Sequence, residues 1–489
     1  MPRPRVLQLT VIALFLSVLV TPGKRDLFVG DETKYGQVVR EMRATGAFFL
    51  PTLGGAPFTH KPPLHFWMID LLTYPLGVYS TWAFVLPSIA AFAFLLWLMW
   101  RWGGPLAAFV CGTSLLVWGS AQTARMDVAF TAFIALGIFL MQRGKWLWCG
   151  TALGVATLVK GPMAIVIAVV LFLLEMWRPA LRRPAKSRPL HALLIAIVIP
   201  LLWFVPAVML GGRAYARDVV VKQTVGRAIA SWVHQAPPWF YVERLPLTLF
   251  PWFFLAVACA VALWRTQRFA INWILAVVIP YSLMSSKLDV YMMAAIPPVA
   301  LLIAEGVRGG VRWVRAANIV AIALVLAGAI VGGVKIPREF VSVGGINALI
   351  AFAIVASLIG LIVAARASLV TSTIAAGAVS ILVLLFVADR LMPFINGFGS
   401  TQTLVTVLER QRVEPERIAL YAAPYLWTRE FPRPLERVVY ATPEMLPHVQ
   451  PEVIVTARAH AREIAPSLAG YRKVDELRMI GKWFDVYRR

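Results

Sequence analysis

The residues of this sequence that could do chemistry are ionisable side chains at the ends of long hydrophobic runs or between them. Aspartate and glutamate in such places can act as general bases, metal ligands or partners of a cationic ligand. Lysine and arginine can bind phosphate, and histidine can bind zinc. An ionisable group at membrane depth costs at least about 2.5–3.5 kcal/mol, so such residues are seldom without a role. The candidates are Asp31, Glu32, Lys61, Arg125, Asp127, Lys160, Arg227, His234 and Lys287.

The hydrophobic runs predict a polytopic membrane protein. Of the 489 residues, 60% are hydrophobic, and the mean hydropathy is +0.74, a composition that excludes a soluble protein of this length. A run of about 20 apolar residues is long enough to cross the hydrocarbon core of a bilayer. We expect about thirteen transmembrane helices. Their ranges are 6–22, 80–100, 105–121, 127–141, 146–159, 162–177, 191–210, 245–264, 269–285, 289–306, 316–334, 346–364 and 369–388.

The basic residues predict the orientation of these spans. With Arg3 and Arg5 in the cytoplasm, equal numbers of Lys and Arg fall in cytoplasmic and external loops. The cytoplasmic ones occupy short hairpins with almost no acidic residues, where the positive-inside rule has most force. Most external ones are mixed with Asp and Glu in two long loops, 23–66 and 211–244. We therefore place the N-terminus inside, which puts all the candidate residues at the external membrane boundary.

The predicted fold class is an all-α polytopic membrane protein with a small C-terminal α/β domain. Residues 1–395 form the transmembrane domain, in which loops 23–66 and 211–244 build the site, and residues 396–489 form an external domain. In this last segment the hydropathy falls, and helix-like stretches alternate with β-like runs. The helix-like stretches are Thr401–Arg412 and Ala459–Ala469, and the β-like runs are Arg417–Tyr421, Arg437–Tyr440, Glu452–Thr456 and Trp483–Tyr487.

Composition also narrows the choice of partners. The net charge of +23 suits anionic lipid headgroups beside membrane spans and does not require nucleic acid. We expect no nucleotide, because the sequence has neither a Walker A loop nor a dinucleotide fingerprint. Cys111, Cys149 and Cys259 lie in hydrophobic spans without metal-ligand spacing, so we interpret them as small buried apolar residues.

The first external loop carries two motifs. Asp31-Glu32 stands at the start of an amphipathic pattern that predicts a helix along the membrane interface, although capping and the helix dipole also explain an acidic start. His60-Lys61-Pro62-Pro63 then precedes an aromatic segment; its prolines restrict the backbone, and its lysine can meet a lipid phosphate or snorkel to the interface. The apolar face of the predicted helix consists of Tyr35, Val38, Val39 and Met42.

Further motifs follow the later hydrophobic spans in a fixed order. Each of them places charged, proline or aromatic residues at the external boundary, and each has an ordinary structural explanation by itself, such as a helix-end salt bridge, a tight turn or a membrane anchor. The motifs are Arg125-Met126-Asp127, Lys160-Gly161-Pro162, Lys222–Arg227, His234–Tyr241, Pro251-Trp252 and Ser285–Tyr291.

Taken together, these motifs resemble the membrane glycosyltransferases of the GT-C fold that use polyprenyl-phosphate sugars, a group to which the protein O-mannosyltransferases also belong. Within this group the sequence is most similar to the aminoarabinose transferases that modify lipid A. The resemblance covers about residues 6–300. It is strongest at Lys61-Pro62-Pro63, where the lysine of the relatives contacts the carrier phosphate.

The resemblance implies roles for individual residues. The catalytic carboxylates would be Asp31, Glu32 and Asp127, and the donor-phosphate ligands would be Lys61, Lys160, Arg227 and Lys287. The acceptor or sugar would contact Arg125, Tyr35, Tyr241 and Tyr291. The sequence departs from the family at His60, where the aminoarabinose transferases usually have a glutamate associated with a metal. His60 and His234 could still hold a divalent metal such as Zn, Mg or Mn.

The implied function is inverting transfer of a sugar, such as 4-amino-4-deoxy-L-arabinose, from an undecaprenyl phosphate carrier to lipid A or a related envelope acceptor. A monomer in the bacterial inner membrane would carry it out on the periplasmic side. Alternatives within the class transfer another sugar to lipopolysaccharide core, an envelope glycan or protein. A lipid-linked sugar flippase is a different class and predicts an internal repeat. A non-catalytic lipid-binding protein would tolerate Asp31→Asn and Asp127→Asn.

Overall fold

The computed structural model describes residues 4–177, 188–226, 235–335 and 345–489. The chain divides into two compact units. The first unit comprises Met1–Val20, Thr59–His65 and Leu86–Arg390, and the second comprises Thr21–Phe58, Phe66–Val85 and Leu391–Arg489. The second unit therefore contains, besides the predicted C-terminal domain, most of the predicted loop 23–66 and the segment that follows it.

Helices make up most of the described chain. In chain order they are α1 Pro4–Ser17, α2 Asp31–Thr45, α3 Leu64–Leu76, α4 Thr81–Gly112, α5 Leu115–Ala121, α6 Asp127–Gln142, α7 Trp146–Lys160, α8 Met163–Trp177, α9 Pro189–Arg217, α10 Phe240–Thr248, α11 Phe253–Leu263, α12 Arg268–Leu283, α13 Ile296–Arg308, α14 Val314–Lys335, α15 Ile346–Arg366, α16 Leu369–Arg390, α17 Met392–Gly399, α18 Gln402–Gln411 and α19 Leu446–Val449. A π-helical turn, Asp218–Gly226, follows α9, and a 3-10 helix, Asp289–Ala295, precedes α13.

The lengths of these helices confirm a polytopic membrane protein. Six described helices are long and apolar enough to cross a membrane, and the bent pair α10–α11 would make a seventh span. Shorter apolar helices coincide with the predicted spans at 6–22, 127–141, 146–159, 162–177 and 269–285. The total of thirteen crossings stays a prediction.

Two predicted spans differ from the helices that form. The predicted span 105–121 is interrupted, because α4 ends at Gly112 and α5 begins at Leu115. The predicted span 245–264 is the pair α10–α11, whose axes bend by 109°. Pro251 lies in the break, where its ring and missing N–H oppose a continuous helix. Hydropathy detected the apolar runs but not these interruptions.

Small residues let the helices of the first unit pack closely. Gly150 on α7 lies against α9, and a Cβ built there would be 2.4 Å from the carbonyl oxygen of Ala192. Gly154 lies one turn later on α7, and a Cβ built there would be 2.8 Å from Ile199 of α9. Such small-residue contacts are typical of membrane helix pairs. The outward side of α9 exposes large apolar side chains, among them Leu202 and Met209, as a lipid-facing surface requires.

The second unit contains a five-stranded sheet. Its strands are β3 Ile418–Tyr421, β4 Val439–Tyr440, β5 Val453–Ala457, β6 Arg472–Met479 and β7 Lys482–Arg488, and a separate short hairpin pairs β1 Thr52–Leu53 with β2 Ala56–Pro57. The strand order is β4-β3-β5-β7-β6. β3 is parallel to both of its neighbours, and β7 is antiparallel to β5 and β6.

The predicted β-like runs all form strands of this sheet, and β6 is the strand that the sequence analysis missed. Its sequence is largely charged and mostly exposed, so it lacks the apolar alternation that identifies a half-buried strand. The predicted stretch Thr401–Arg412 forms α18, whereas Ala459–Ala469 corresponds to an irregular 3-10 segment, Arg458–Leu468. Leu404 of α18 packs in one hydrophobic cluster with Ile418 and Val453, which covers that face of the sheet.

Helix α2 begins at Asp31 as predicted, but protein side chains cover its apolar face. Val38, Val39 and Met42 are fully buried, and Tyr35 packs edge-on against Phe66 at 5.3 Å between ring centroids. The expectation that this face lies in the membrane interface is therefore wrong. The amphipathic pattern is correct, but burial inside the protein satisfies it.

Replacing Gly150 by alanine is expected to destabilise the first unit. The added methyl would overlap the α9 backbone, and overpacking of this kind typically costs about 1–3 kcal/mol. The measurement is the midpoint of thermal unfolding in detergent. Gly119→Ala in α5 is the matched control, because nothing lies within 4 Å of its added Cβ. Equal midpoints for the two variants would contradict the close contact of α7 with α9.

Candidate active site

A cavity of about 400 Å³ in the first unit brings together several of the predicted site residues. His60 and Lys61 reach it from the segment before α3, Lys160 from the end of α7, and Tyr291 from the 3-10 helix before α13. Apolar residues of α8, α9 and the π-helical turn complete the wall, among them Val166, Pro200, Leu201, Trp203, Phe204, Val219 and Val220. Cationic and apolar groups therefore line one compartment.

Asp127 holds two basic residues beside this cavity. Its carboxylate is buried and accepts hydrogen bonds from the Lys160 ammonium through Oδ1 and from Arg125 Nε through Oδ2, the latter at 3.0 Å. The Lys160 ammonium also lies 4.8 Å from the centroid of the Tyr291 ring, within range of a cation–π contact. Lys160 lines the cavity and Asp127 does not. The geometry favours a positioning role for Asp127 over proton abstraction.

The tyrosines predicted to bind sugar have different surroundings. Tyr291 lines the cavity and stacks on Tyr281, with ring centroids 4.8 Å apart and planes inclined by 22°. Tyr241 is buried, and its hydroxyl donates to the carbonyl of Leu288 at 3.3 Å. Tyr291 thus keeps its predicted place, whereas Tyr241 supports the backbone just before the 3-10 helix.

Lys287 points into the protein backbone. Its ammonium donates to the carbonyl oxygen of Ala236 at 2.9 Å and to that of Met284. Burial of the side chain lowers the pKa of Lys287. This lysine joins the segment before α10 to the segment after α12, a geometry that favours a structural role over the predicted contact with donor phosphate.

Sequence reasoning assigned no role to three residues of this region, although Gln223 lies within the motif Lys222–Arg227. Tyr281 and Gln223 line the cavity. His65 is completely buried, and burial lowers its pKa to about 4, although a backbone hydrogen bond at Ala124 and the charge of Asp127 oppose that change. A tyrosine inside an apolar span was a usable signal for Tyr281. No sequence pattern distinguishes His65 from an ordinary interfacial histidine.

The predicted metal pair is only partly described. His60 lies in the cavity wall, whereas His234 and the predicted phosphate ligand Arg227 lie outside the described residues. Within the ranges that the structure describes, no group of three or more His, Cys, Asp and Glu side chains could hold a metal. The metal therefore stays a prediction that rests on the two histidines.

Asp31, Glu32 and Tyr35 belong to the second unit, where Glu32 has a well-defined structural role. Its buried carboxylate accepts hydrogen bonds from both terminal nitrogens of Arg25, with Nη1 to Oε1 at 3.0 Å, and from the Phe28 amide at 2.9 Å. The Arg25 guanidinium lies 4.3 Å from the centroid of the Phe28 ring. This network occupies Glu32, so the geometry favours a structural role for Glu32, whereas Asp31 is half-buried in the first turn of α2 and its catalytic role stays a prediction.

Known proteins resemble this chain both in sequence and in fold. The family model described as dolichyl-phosphate-mannose-protein mannosyltransferase matches residues 60–209, a range that starts at His60 and includes Lys61 and Lys160. Over nearly the whole chain the structure resembles the crystal structure of ArnT from Cupriavidus metallidurans bound to undecaprenyl phosphate. The TM-score is 0.72 at 18% identity, with 98% of this chain and 97% of ArnT covered. The chain has the ArnT fold. The apo crystal structure of the same protein gives a TM-score of 0.70.

Curated transferases of other bacteria resemble this chain in sequence. Undecaprenyl phosphate-alpha-4-amino-4-deoxy-L-arabinose arabinosyl transferase 1 of Sodalis glossinidius is 27% identical over 332 residues, which are 62% of this chain and 59% of the relative. The Edwardsiella ictaluri transferase is 29% identical over 330 residues, 61% of this chain and 59% of the relative. The matches span about three fifths of the length of these curated relatives. The predicted resemblance to ArnT-like glycosyltransferases is confirmed.

Substituting Glu32 separates its structural role from catalysis. Glu32→Gln leaves the buried guanidinium of Arg25 without its anionic partner, and breaking a buried ion pair costs about 3–5 kcal/mol. We expect a lower unfolding midpoint in detergent, with the exposed Glu409→Gln as a control. A protein of unchanged stability that had lost its activity would instead assign Glu32 to the chemistry.

Proposed function

We propose that this protein is an inverting glycosyltransferase that takes a sugar from an undecaprenyl phosphate carrier. The observation that supports this most directly is the cavity in which Lys61 and Lys160 share one wall with the apolar residues of α8 and α9. A polyprenyl-phosphate sugar has the same two parts, a charged phosphodiester and an isoprenoid chain. ArnT of the same fold was crystallised bound to undecaprenyl phosphate, and the sequence relatives are named for an undecaprenyl-phosphate sugar.

The lysines would stabilise the leaving group of this reaction. When the bond between the anomeric carbon and the phosphate oxygen breaks, the carrier leaves as a phosphate monoester with additional negative charge. Lys61 is the first candidate to meet that charge, and Lys160, held in place by Asp127, is the second. Preorganised donors of this kind are worth about 2.7–4 kcal/mol each in a transition state.

The acceptor would attack the anomeric carbon from the side opposite the departing phosphate, which inverts the configuration. A phosphate group of lipid A is already ionised and needs little proton removal. A hydroxyl acceptor needs a general base, for which the sequence offers Asp31 and Asp127, and the ion pairs of Asp127 with Lys160 and Arg125 favour a positioning role for that residue. We propose lipid A or a related envelope molecule as the acceptor. The reaction needs a general base only if the attacking group of this acceptor is a hydroxyl.

The setting proposed for this reaction is the periplasmic side of the bacterial inner membrane. The short loops on the side of the N-terminus are basic and contain almost no acidic residues, which supports a cytoplasmic N-terminus. Thirteen crossings then leave the C-terminal domain outside. We propose that the enzyme acts as a monomer. A divalent metal held by His60 and His234 would supply additional positive charge beside the leaving phosphate.

Removing the Lys61 ammonium is expected to abolish transfer without unfolding the protein. Lys61→Ala takes away the cation proposed to stabilise the departing phosphate, so the rate should fall at least about 100-fold. Transfer from a radiolabelled undecaprenyl-phosphate sugar in reconstituted membranes measures this. Lys145→Ala, which changes an exposed lysine before α7, is the matched control. Normal activity in a folded Lys61→Ala protein would remove the central assignment.

Mass spectrometry of lipid A tests the proposed acceptor. Cells that express the protein are expected to show a lipid A species with an added sugar mass, which is absent from cells without the gene or with the Lys61→Ala variant. The mass increment identifies the sugar. Unchanged lipid A would refute this acceptor and direct the same comparison to core oligosaccharide, other envelope glycans and protein.

A further inference from the structure

A second cavity, of about 650 Å³, lies in the second unit at one edge of the sheet. Ala422–Tyr425, directly after β3, and Ala457–His460, at the end of β5, form two of its walls. The start of β7, Lys482–Phe484, forms a third, and Val29, Gly30, Thr33 and Lys34 around the start of α2 close it. The volume is within the range of roughly 300–1,000 Å³ that small-molecule sites occupy.

The topology of the sheet explains why a cavity opens at this edge. β3 and β5 are parallel neighbours. The chain leaves β3 toward β4 on one side and leaves β5 toward β6 on the other, as the order β4-β3-β5-β7-β6 requires. In α/β sheets a crevice forms where neighbouring connections part in this way, outside the carboxyl ends of the strands, and ligands bind in that crevice.

The wall of this cavity is cationic and aromatic. Lys34, Arg458 and Lys482 line it, together with Trp483 and Tyr425, and none of the described lining residues is acidic. The Arg458 guanidinium is held in place, because Nη2 donates to Asp485 Oδ1 at 2.7 Å and its Cζ lies 5.0 Å from the centroid of the Trp483 ring. Asp485 and Glu476, both outside the wall, balance the charge of Arg458, so the two lysines give the cavity its positive excess.

Two further features suit an anionic polar ligand. Gly30 and Thr33 at the N-terminal end of α2, a helix of 15 residues, lie on the wall; helix N-termini favour negative charge, part of which Asp31 and Glu32 of the first turn already supply. Thr33 is buried, and its hydroxyl has no hydrogen-bond partner among the described residues. Buried hydroxyls are normally paired, so this wall has an unused hydrogen-bonding group.

We propose that this crevice, distinct from the cavity of Lys61, binds an anionic saccharide, specifically a phosphorylated sugar. Lys34 and Lys482 bind the phosphate, and the exposed ring of Trp483, with Tyr425, packs against the sugar. The phosphosugar is either the headgroup of a membrane glycolipid or a soluble sugar phosphate, since both present the same chemistry. Binding here does not depend on the transfer reaction, so the two proposals can fail separately.

Calorimetric titration of the full-length protein in nanodiscs tests the site. The probes are glucose 6-phosphate, glucose and inorganic phosphate, and we expect glucose 6-phosphate to bind at least about tenfold more tightly than either of the others. Lys34→Gln and Lys482→Gln should each weaken that binding about tenfold, since each removes a charge-assisted contact. Trp483→Leu should weaken binding of the sugar phosphate and leave that of inorganic phosphate unchanged.

Arg410→Gln is the matched control, because Arg410 is an exposed cation of the same unit outside the cavity wall. Equal binding by the lysine variants and this control would overturn the proposal, as would no binding of glucose 6-phosphate. Inorganic phosphate that binds as tightly as glucose 6-phosphate would reduce the crevice to an anion site and overturn the saccharide assignment. Unfolding midpoints confirm that each variant is folded.

A competition titration identifies the source of the ligand. The glucose 6-phosphate titration is repeated in nanodiscs that contain lipid A as the phosphorylated glycolipid. Competition that raises the apparent Kd for glucose 6-phosphate supports the crevice as a site for a membrane glycolipid headgroup. An unchanged Kd supports a soluble sugar phosphate as its occupant.

Discussion

The cavity of the first unit depends on the ion pair between Asp127 and Lys160. This pair joins the start of α6 to the end of α7 and fixes a cation in a wall that is otherwise largely apolar. These two buried charges are tolerated because each compensates the other. Arg125 adds a second donor to the same carboxylate. The proposed chemistry needs a positive group that stays in place while a phosphate leaves, and this arrangement supplies one without reorganisation.

The second unit is organised by a different buried pair. Arg25 and Glu32 fix the turn that leads into α2, and the close approach of Gly36 to Trp427 brings that helix against the C-terminal segment, where a Cβ on the glycine would lie 2.8 Å from the indole. The sheet edge with its cationic crevice and the start of α2 are thus parts of one folded body. The segment 23–66 therefore serves two purposes, since it supplies Lys61 to the cavity of the first unit and helix α2 to the second unit.

The two cavities share a chemical theme. Each combines lysine with a surface suited to the remainder of its proposed ligand, apolar helices for an isoprenoid chain in one and aromatic rings for a sugar in the other. Lysine suits both because it acts as a point charge toward phosphate and does not need the fixed planar geometry of arginine. The proposed transfer of a sugar from one phosphorylated lipid to another would use both kinds of site.

The sequence by itself determined the class of protein and most of the helices, and it identified the motif around Lys61 as a candidate site. These follow from local composition, because apolar run length, proline and charge at helix ends are properties of short segments. The β-like runs of the C-terminal segment were predictable for the same reason, whereas the exposed, charged strand β6 was not. Tertiary structure decided which of several equivalent ionisable residues share a cavity: it placed Lys160 beside Tyr291, turned Lys287 onto backbone carbonyls and occupied Glu32 with Arg25. Such choices depend on partners far apart in the chain, and no single segment carries that information.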